Sequence, residues 1–177
     1  MGSRSGREGA DQAVYNGTAS PPPPAPLQAA IDCIANSDFA KTDDGKAILQ
    51  KIRDALANNK IESQDLKPGL FGTYNDGTGV ITYSSFYNND PGVIASELVH
   101  EGAHILYNSR LPKPALDNLD EEVYTNLQQL AFYDGQTGDC KPKSILVSGE
   151  LDRRKALRDA GGSQFRDDVK VRYPAYN

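Results

Sequence analysis

From Ile94 to Leu106 the polar residues Glu97, His100, Glu101 and His104 fall, on a helical wheel, within one sector roughly 100° wide. The other sides of that wheel carry Ile94, Ala95, Leu98, Val99, Gly102, Ala103, Ile105 and Leu106, with Ser96 the lone polar exception. A surface helix shows a broad polar face, and this segment lacks one. Enclosed on its apolar sides by other elements, it must turn its narrow polar patch toward a cleft or satisfy it internally. The rest of the fold has to be built around this helix. Asp90-Pro91 supplies its start, with Asp as the cap and Pro in the first turn, and the periodicity carries it to about Tyr107.

Leu27 to Asn36 and Gly45 to Asn59 also read as helices. In the second, Ile48, Ile52, Ala55 and Leu56 recur at helical spacing, and Asn58-Asn59 end it. Tyr74-Asn75-Asp76-Gly77-Thr78-Gly79 is dense in turn residues and leads into Val80-Ile81-Thr82-Tyr83-Ser84, a β-branched and aromatic run that reads as a strand. A loop with Pro112 and Pro114 precedes a helix from about Asp117 to Tyr133, and a last helix from roughly Glu150 to Ala160 stops at Gly161-Gly162. This order predicts an α+β fold, mainly helical, with a small, largely antiparallel sheet. Residues 1–26 are polar and Gly-rich, close in the spacer Ser20-Pro21-Pro22-Pro23-Pro24-Ala25-Pro26, and read as a disordered leader. Residues 27–177 then form a single domain.

Composition narrows the classes of partner. A net charge of −5 leaves no basic stripe to neutralise phosphates, which argues against nucleic acid. No apolar run approaches the roughly 20 residues that span a bilayer, so membrane insertion is not expected. Cys33 and Cys140 stand far apart in sequence, outside any CxxC pair; they read either as isolated buried thiols or as one disulfide between an early helix and a late loop. With a single Met, no Trp and abundant Gly, Asn and Tyr, the composition leans toward a secreted protein. A monomer is expected.

His100-Glu101-Gly102-Ala103-His104 carries the chemistry. Residues four apart share a helical face, so His100 and His104 can bind one metal ion through their imidazoles. Glu101, about 100° round the helix, can reach a water in the metal's open position and act as general base. Chance produces HExxH in on the order of one chain of this length in a few hundred, and here these are the only two histidines. A catalytic zinc site normally has three protein ligands, and no third histidine exists, so a carboxylate is required. Glu121 and Glu122 open the following helix. Glu122 shares a row with Asn126, Gln129 and Tyr133 beside the stripe of Leu119, Val123, Leu127 and Leu130, which favours it; Glu121 is the alternative, with Asp117 and Asp120 further off.

With these two segments, His100 to His104 and Glu122 to Asn126, the chain resembles the gluzincin metallopeptidases. The resemblance implies a zincin-like fold, one Zn2+ per chain held by His100, His104 and Glu122, and Glu101 as the catalytic base. In that clan an acidic residue four positions after the ligand glutamate orients a ligand histidine; here the position is Asn126, a departure. The resemblance also makes Val80–Ser84 the edge strand ahead of the active-site helix, along which a peptide or protein substrate would dock. The small size resembles zincin domains in secreted bacterial effectors and toxins.

An oxyanion donor would have to be Tyr or Arg, because no histidine is left over. Tyr133, Tyr173 and Tyr176 are the candidates, whereas Arg153-Arg154-Lys155 reads as a solvated face. The expected function is zinc-dependent peptide hydrolysis. A peptidoglycan stem-peptide hydrolase and a non-catalytic, zinc-containing effector or binding module are the alternatives.

Overall fold

The computed structural model describes residues 24–67, 69–110 and 118–173. Among them are α1 (Ala25–Ala35), α2 (Asp43–Ala57), β1 (Ile61–Gln64), β2 (Gly72–Asn75), β3 (Val80–Ser84), α3 (Pro91–Arg110), α4 (Asn118–Asp134), α5 (Ile145–Ala160) and α6 (Gln164–Arg172). The fold is α+β and mostly helical, as the hydrophobic pattern requires. The leader up to Pro23, Asp117, Pro112, Pro114 and Tyr176 lie outside the described residues. Helix α1 begins slightly earlier than expected, because Ala25 and Pro26 already belong to its first turn, where a proline's missing N–H costs nothing.

Each helix follows from local chemistry. In α2 the Thr42 hydroxyl accepts a hydrogen bond from the Gly45 amide at 3.0 Å, Asp43 and Asp44 stand in the positive first turn, and Ile48, Leu49, Ile52 and Ala55 form the buried face. Asp90 caps α3: its Oδ1 accepts from the Val93 amide at 3.1 Å, while Oδ2 accepts from the amides of Lys143 and Ser144 at 2.8 and 2.9 Å. One buried carboxylate thus ties the start of α3 to the segment that enters α5. Gly92 is required there, since a Cβ would meet the backbone of Cys140 to Pro142 at 2.5–2.8 Å. The Cys33–Cys140 disulfide fastens the same segment to α1, which decides between the two cysteine readings.

The sheet is mixed, in the order β1-β3-β2: β1 runs parallel to β3, with Ile61 beside Ile81, and β2 antiparallel, with Thr73 beside Thr82. Val80–Ser84 is therefore the central strand, not the edge expected from sequence, and the sheet is not largely antiparallel. With both neighbours bonded, β3 has no free backbone edge for a substrate. Of the two outer strands, β2 lies against α3.

Two apolar clusters flank α3. One joins α1, α2, β3 and the apolar sides of α3 through residues such as Leu27, Ile34, Ile48, Ile52, Ile81, Leu98 and Phe132. The other gathers Val93, Leu130, Val147, Leu151, Phe165 and Val169 from α3 to α6. Helix α3 is buried from Gly92 through Ala103, and it packs on α1, α2, α4 and the sheet. Gly102 permits the closest of these contacts: a Cβ would sit 2.9 Å from Ile52 Cγ1 and 3.1 Å from Ile48 Cγ2. Among the described residues no helix is long and apolar enough to cross a membrane. Helices α5 and α6 exceed the sequence reading, since α5 starts at Ile145 and α6 was not expected.

Candidate metal centre

The polar sector of α3 opens into a cleft of about 730 Å3, walled by residues 69–74 at the edge of the sheet, by α4, and by α5 with the end of α6. His100, Glu101 and His104 line it from α3, and Glu121 and Glu122 from α4. His100 Nε2 lies 3.2 Å from His104 Nε2. Glu122 closes the triangle, with Oε2 3.7 Å from His100 Nε2 and Oε1 3.6 Å from His104 Nε2. Ligand atoms about 2.0–2.2 Å from a tetrahedral zinc stand roughly 3.3–3.6 Å apart, so this triangle has the size of one face of such a site.

Proton placement sharpens the fit. His104 Nδ1 is 2.6 Å from Glu121 Oε1, which also accepts from Asn108 Nδ2 at 2.9 Å. Donating its proton there, His104 presents the lone pair of Nε2 to the triangle. Glu122 Oε2 is buried and has no hydrogen-bond partner. Lone pairs and an ionised oxygen converging in a buried space repel one another unless a proton or cation lies between them. The buried His100, His104 and Glu122 cluster is thus able to hold a metal ion. Glu121, the alternative third ligand, is spent on the far side of the His104 ring instead.

His100 is aimed less directly. Its Nδ1 makes no hydrogen bond of normal length; the neighbouring group is Gln129, whose Oε1 is also unbonded and whose Nε2 donates to Glu97 Oε1 at 3.0 Å. Burial, aided by the positive charges of His104 and Arg154, holds the His100 pKa well below its ordinary value. For His104 burial pulls the same way, but the Glu121 hydrogen bond and the charges of Glu101 and Glu122 outweigh it and raise the pKa. Burial also lifts Glu101 to about 8, with Glu97 and Glu122 adding repulsion against the pull of His104. Glu101 has this space because β2 passes it at a glycine: a Cβ on Gly72 would lie 3.2 Å from Glu101 Oε1 and 3.4 Å from Glu97 Oε2.

No family model matches this chain, and no match stands out among curated proteins or solved structures.

The remaining sequence candidates separate cleanly. Asn126 does not touch a histidine: its Nδ2 donates to the Glu122 carbonyl at 2.7 Å and its Oδ1 accepts from Arg154 Nη1, while Glu121 is the acidic group that orients His104. Tyr133 points away from the cleft and donates to Asp152 Oδ1 at 2.8 Å, which removes it as an oxyanion donor. Tyr173 lines the cleft beside Glu122 and Asn126. Asp120 is exposed and pairs with Arg166. Arg154 overturns its reading as a solvated residue: its side chain is 11% exposed, it lines the cleft, and its Nε pairs with Glu150 at 2.7 Å. The wheel of α5 held a signal for this, since Arg154 shares a face with the apolar Val147 and Leu151. Gln129 was visible too, two turns beyond Glu122 on the same row.

Proposed function

We propose that the protein is a zinc-dependent peptidase in which His100, His104 and Glu122 hold the metal and Glu101 is the general base. The observation that carries the reading is the convergence of His100 Nε2, His104 Nε2 and the Glu122 carboxylate at 3.2–3.7 Å, with Glu101 one residue along in the same cleft. Two imidazoles and a carboxylate form a donor set characteristic of catalytic zinc, which keeps a coordination position open. When bound, zinc supplies Lewis acidity that lets water lose a proton near neutral pH and polarises a carbonyl.

The chain's own residues complete the reaction. Glu101, one residue along from His100 in the same cleft, accepts the proton from water and passes it to the departing amine. Glu121 holds the His104 ring in the tautomer that leaves Nε2 free. The outer edge of β2 adjoins the cleft, so an extended peptide can pair with it antiparallel or parallel and bring its carbonyl to the site. An α+β fold with a mixed sheet beside the histidine helix, and the ligand glutamate on the next helix, supports a zincin-like assignment. The disulfide is of the kind that persists in oxidising compartments and supports export.

The test is hydrolysis of a fluorogenic peptide library by the zinc-loaded protein and by Glu101→Gln. Hydrolysis should fall by at least about a hundredfold while zinc content is unchanged. Equal rates in the two proteins would overturn the assignment of the base.

A further inference from the structure

The wall of the cleft opposite α3 carries charge that metal binding does not use. Val147, Leu151 and Arg154 follow one another at i, i+4 and i+7, so the face of α5 that buries two apolar side chains in the core also sets a guanidinium against the cleft. Three arginines crowd there on two carboxylates. Glu150 Oε1 pairs with Arg154 Nε at 2.7 Å, with Arg153 Nη2 at 3.3 Å and with Arg172, while Asp168 takes both Nη atoms of Arg153 at 2.7 Å and Arg172 Nε at 3.2 Å. Arg154 and Arg172 both border the cleft, where the carboxyls of Glu97 and Glu122 also face Arg154.

Arg154 is the better placed of the two. Its side chain is 11% exposed, its Nε lies 2.7 Å from Glu150 Oε1 yet makes no hydrogen bond, and its Nη1 donates to Asn126 Oδ1. Asn126 stands one helical turn beyond Glu122 and donates to the Glu122 carbonyl at 2.7 Å. The guanidinium is therefore anchored to a residue one turn, roughly 5–6 Å, along α4 from the proposed metal ligand. A peptide advances at most about 3.3–3.6 Å per residue, so a group held by Arg154 belongs to the residue next to the bond being cleaved, or to its neighbour. A nearly buried guanidinium that lines the cleft with an unsatisfied Nε–H matches a carboxylate, which can accept from two N–H donors at once.

Building on the peptidase reading, we propose that Arg154, backed by Arg172, binds a substrate carboxylate within about one residue of the scissile bond. Two sources share this chemistry: the C-terminal α-carboxylate, which makes the enzyme a carboxypeptidase, and an acidic side chain.

The experiment titrates the full chain with phosphinic pseudopeptides, which resist hydrolysis, in two matched pairs. One pair ends in leucine as free acid or carboxamide; the other is amidated and carries glutamate or glutamine at the same position. Binding is measured by calorimetry with zinc present and, for weak complexes, by NMR after chelation, with zinc content determined on each sample. A preference of roughly ten- to hundredfold for the carboxylate member is expected in the first pair. Arg154→Gln should abolish that preference and Arg172→Gln reduce it, with zinc content unchanged. Preference confined to the second pair assigns the same subsite to an acidic side chain. Equal binding within both pairs, in the wild-type protein, overturns the proposal, as does a preference that survives Arg154→Gln. A carboxylate preference in a chain that takes up no zinc would overturn the peptidase reading and leave the subsite standing.

Discussion

Replacing Glu121 isolates the part of the site that aims a ligand without being one. Glu121 Oε1 accepts from His104 Nδ1 at 2.6 Å and from Asn108 Nδ2 at 2.9 Å, and it does not belong to the triangle formed by His100, His104 and Glu122. In Glu121→Ala the ring loses its acceptor and is free to place its proton on Nε2, where a metal would otherwise bind. Losing such an outer partner costs about 10–100-fold in metal affinity, or about 1.4–2.7 kcal/mol. Glu121→Gln keeps a carbonyl oxygen as acceptor and should lose less, whereas Glu122→Gln removes a ligand and should lose more than either. Zinc dissociation constants from competition with a fluorescent chelator at pH 7 would rank the proteins: wild type tightest, then Glu121→Gln, Glu121→Ala and Glu122→Gln. Unchanged affinity in Glu121→Ala, or a larger loss there than in Glu122→Gln, would refute the division of labour between the two glutamates.

Other consequences are mechanical or electrostatic. Cys33 and Cys140 close a loop with a sequence separation of 107, so the double serine variant should lose about 5 kcal/mol of unfolding free energy in a denaturant titration by the chain-entropy account. Gly102→Ala gains about 1 kcal/mol of helix propensity but forces a methyl against Ile52 and Ile48, at a cost of about 1–3 kcal/mol; a net loss of up to about 2 kcal/mol should appear as a lowered Tm. Burial alone would raise the Asp168 pKa, yet Arg153, Arg172 and Arg154 bring it below the ordinary aspartate value. A lowered folded pKa means that this stabilisation is present above the unfolded value near 3.9 and disappears as pH falls through the folded one. Asp168→Asn should therefore cost about 1 kcal/mol at pH 7, discounted for the partly exposed Arg153, and the difference from wild type should shrink as pH falls through the folded pKa.

What could be read from sequence tracks how local the cause is. Helix α3 and strand β3 were legible because their patterns lie in consecutive residues: an apolar wheel with a narrow polar sector, and a β-branched run after a turn. The pairing of β3 was not. Strands β1 and β2 carry Glu, Ser, Gln, Gly and Asn, too polar or too small to read as strands, and only their bonding to β3 on both sides makes it central. Helix α6 depends on Phe165 and Val169 packing against α5 and α4, a tertiary effect with a weak pattern. At the site, Glu122 followed from its row beside the core of α4, but the task of Glu121 required the actual direction of the His104 ring. Arg154 was misread because charge next to charge usually means solvent; the apolar residues on its own face pointed the other way.

Zinc K-edge X-ray absorption on the purified, zinc-equilibrated chain bears most directly on the central claim, because it reports the ligands themselves. The account predicts one zinc per chain with two imidazoles and oxygen donors at about 2.0–2.2 Å, and loss of the imidazole signal in His104→Ala. A spectrum that keeps both imidazoles in His104→Ala, or a wild-type chain that binds no zinc, would contradict it.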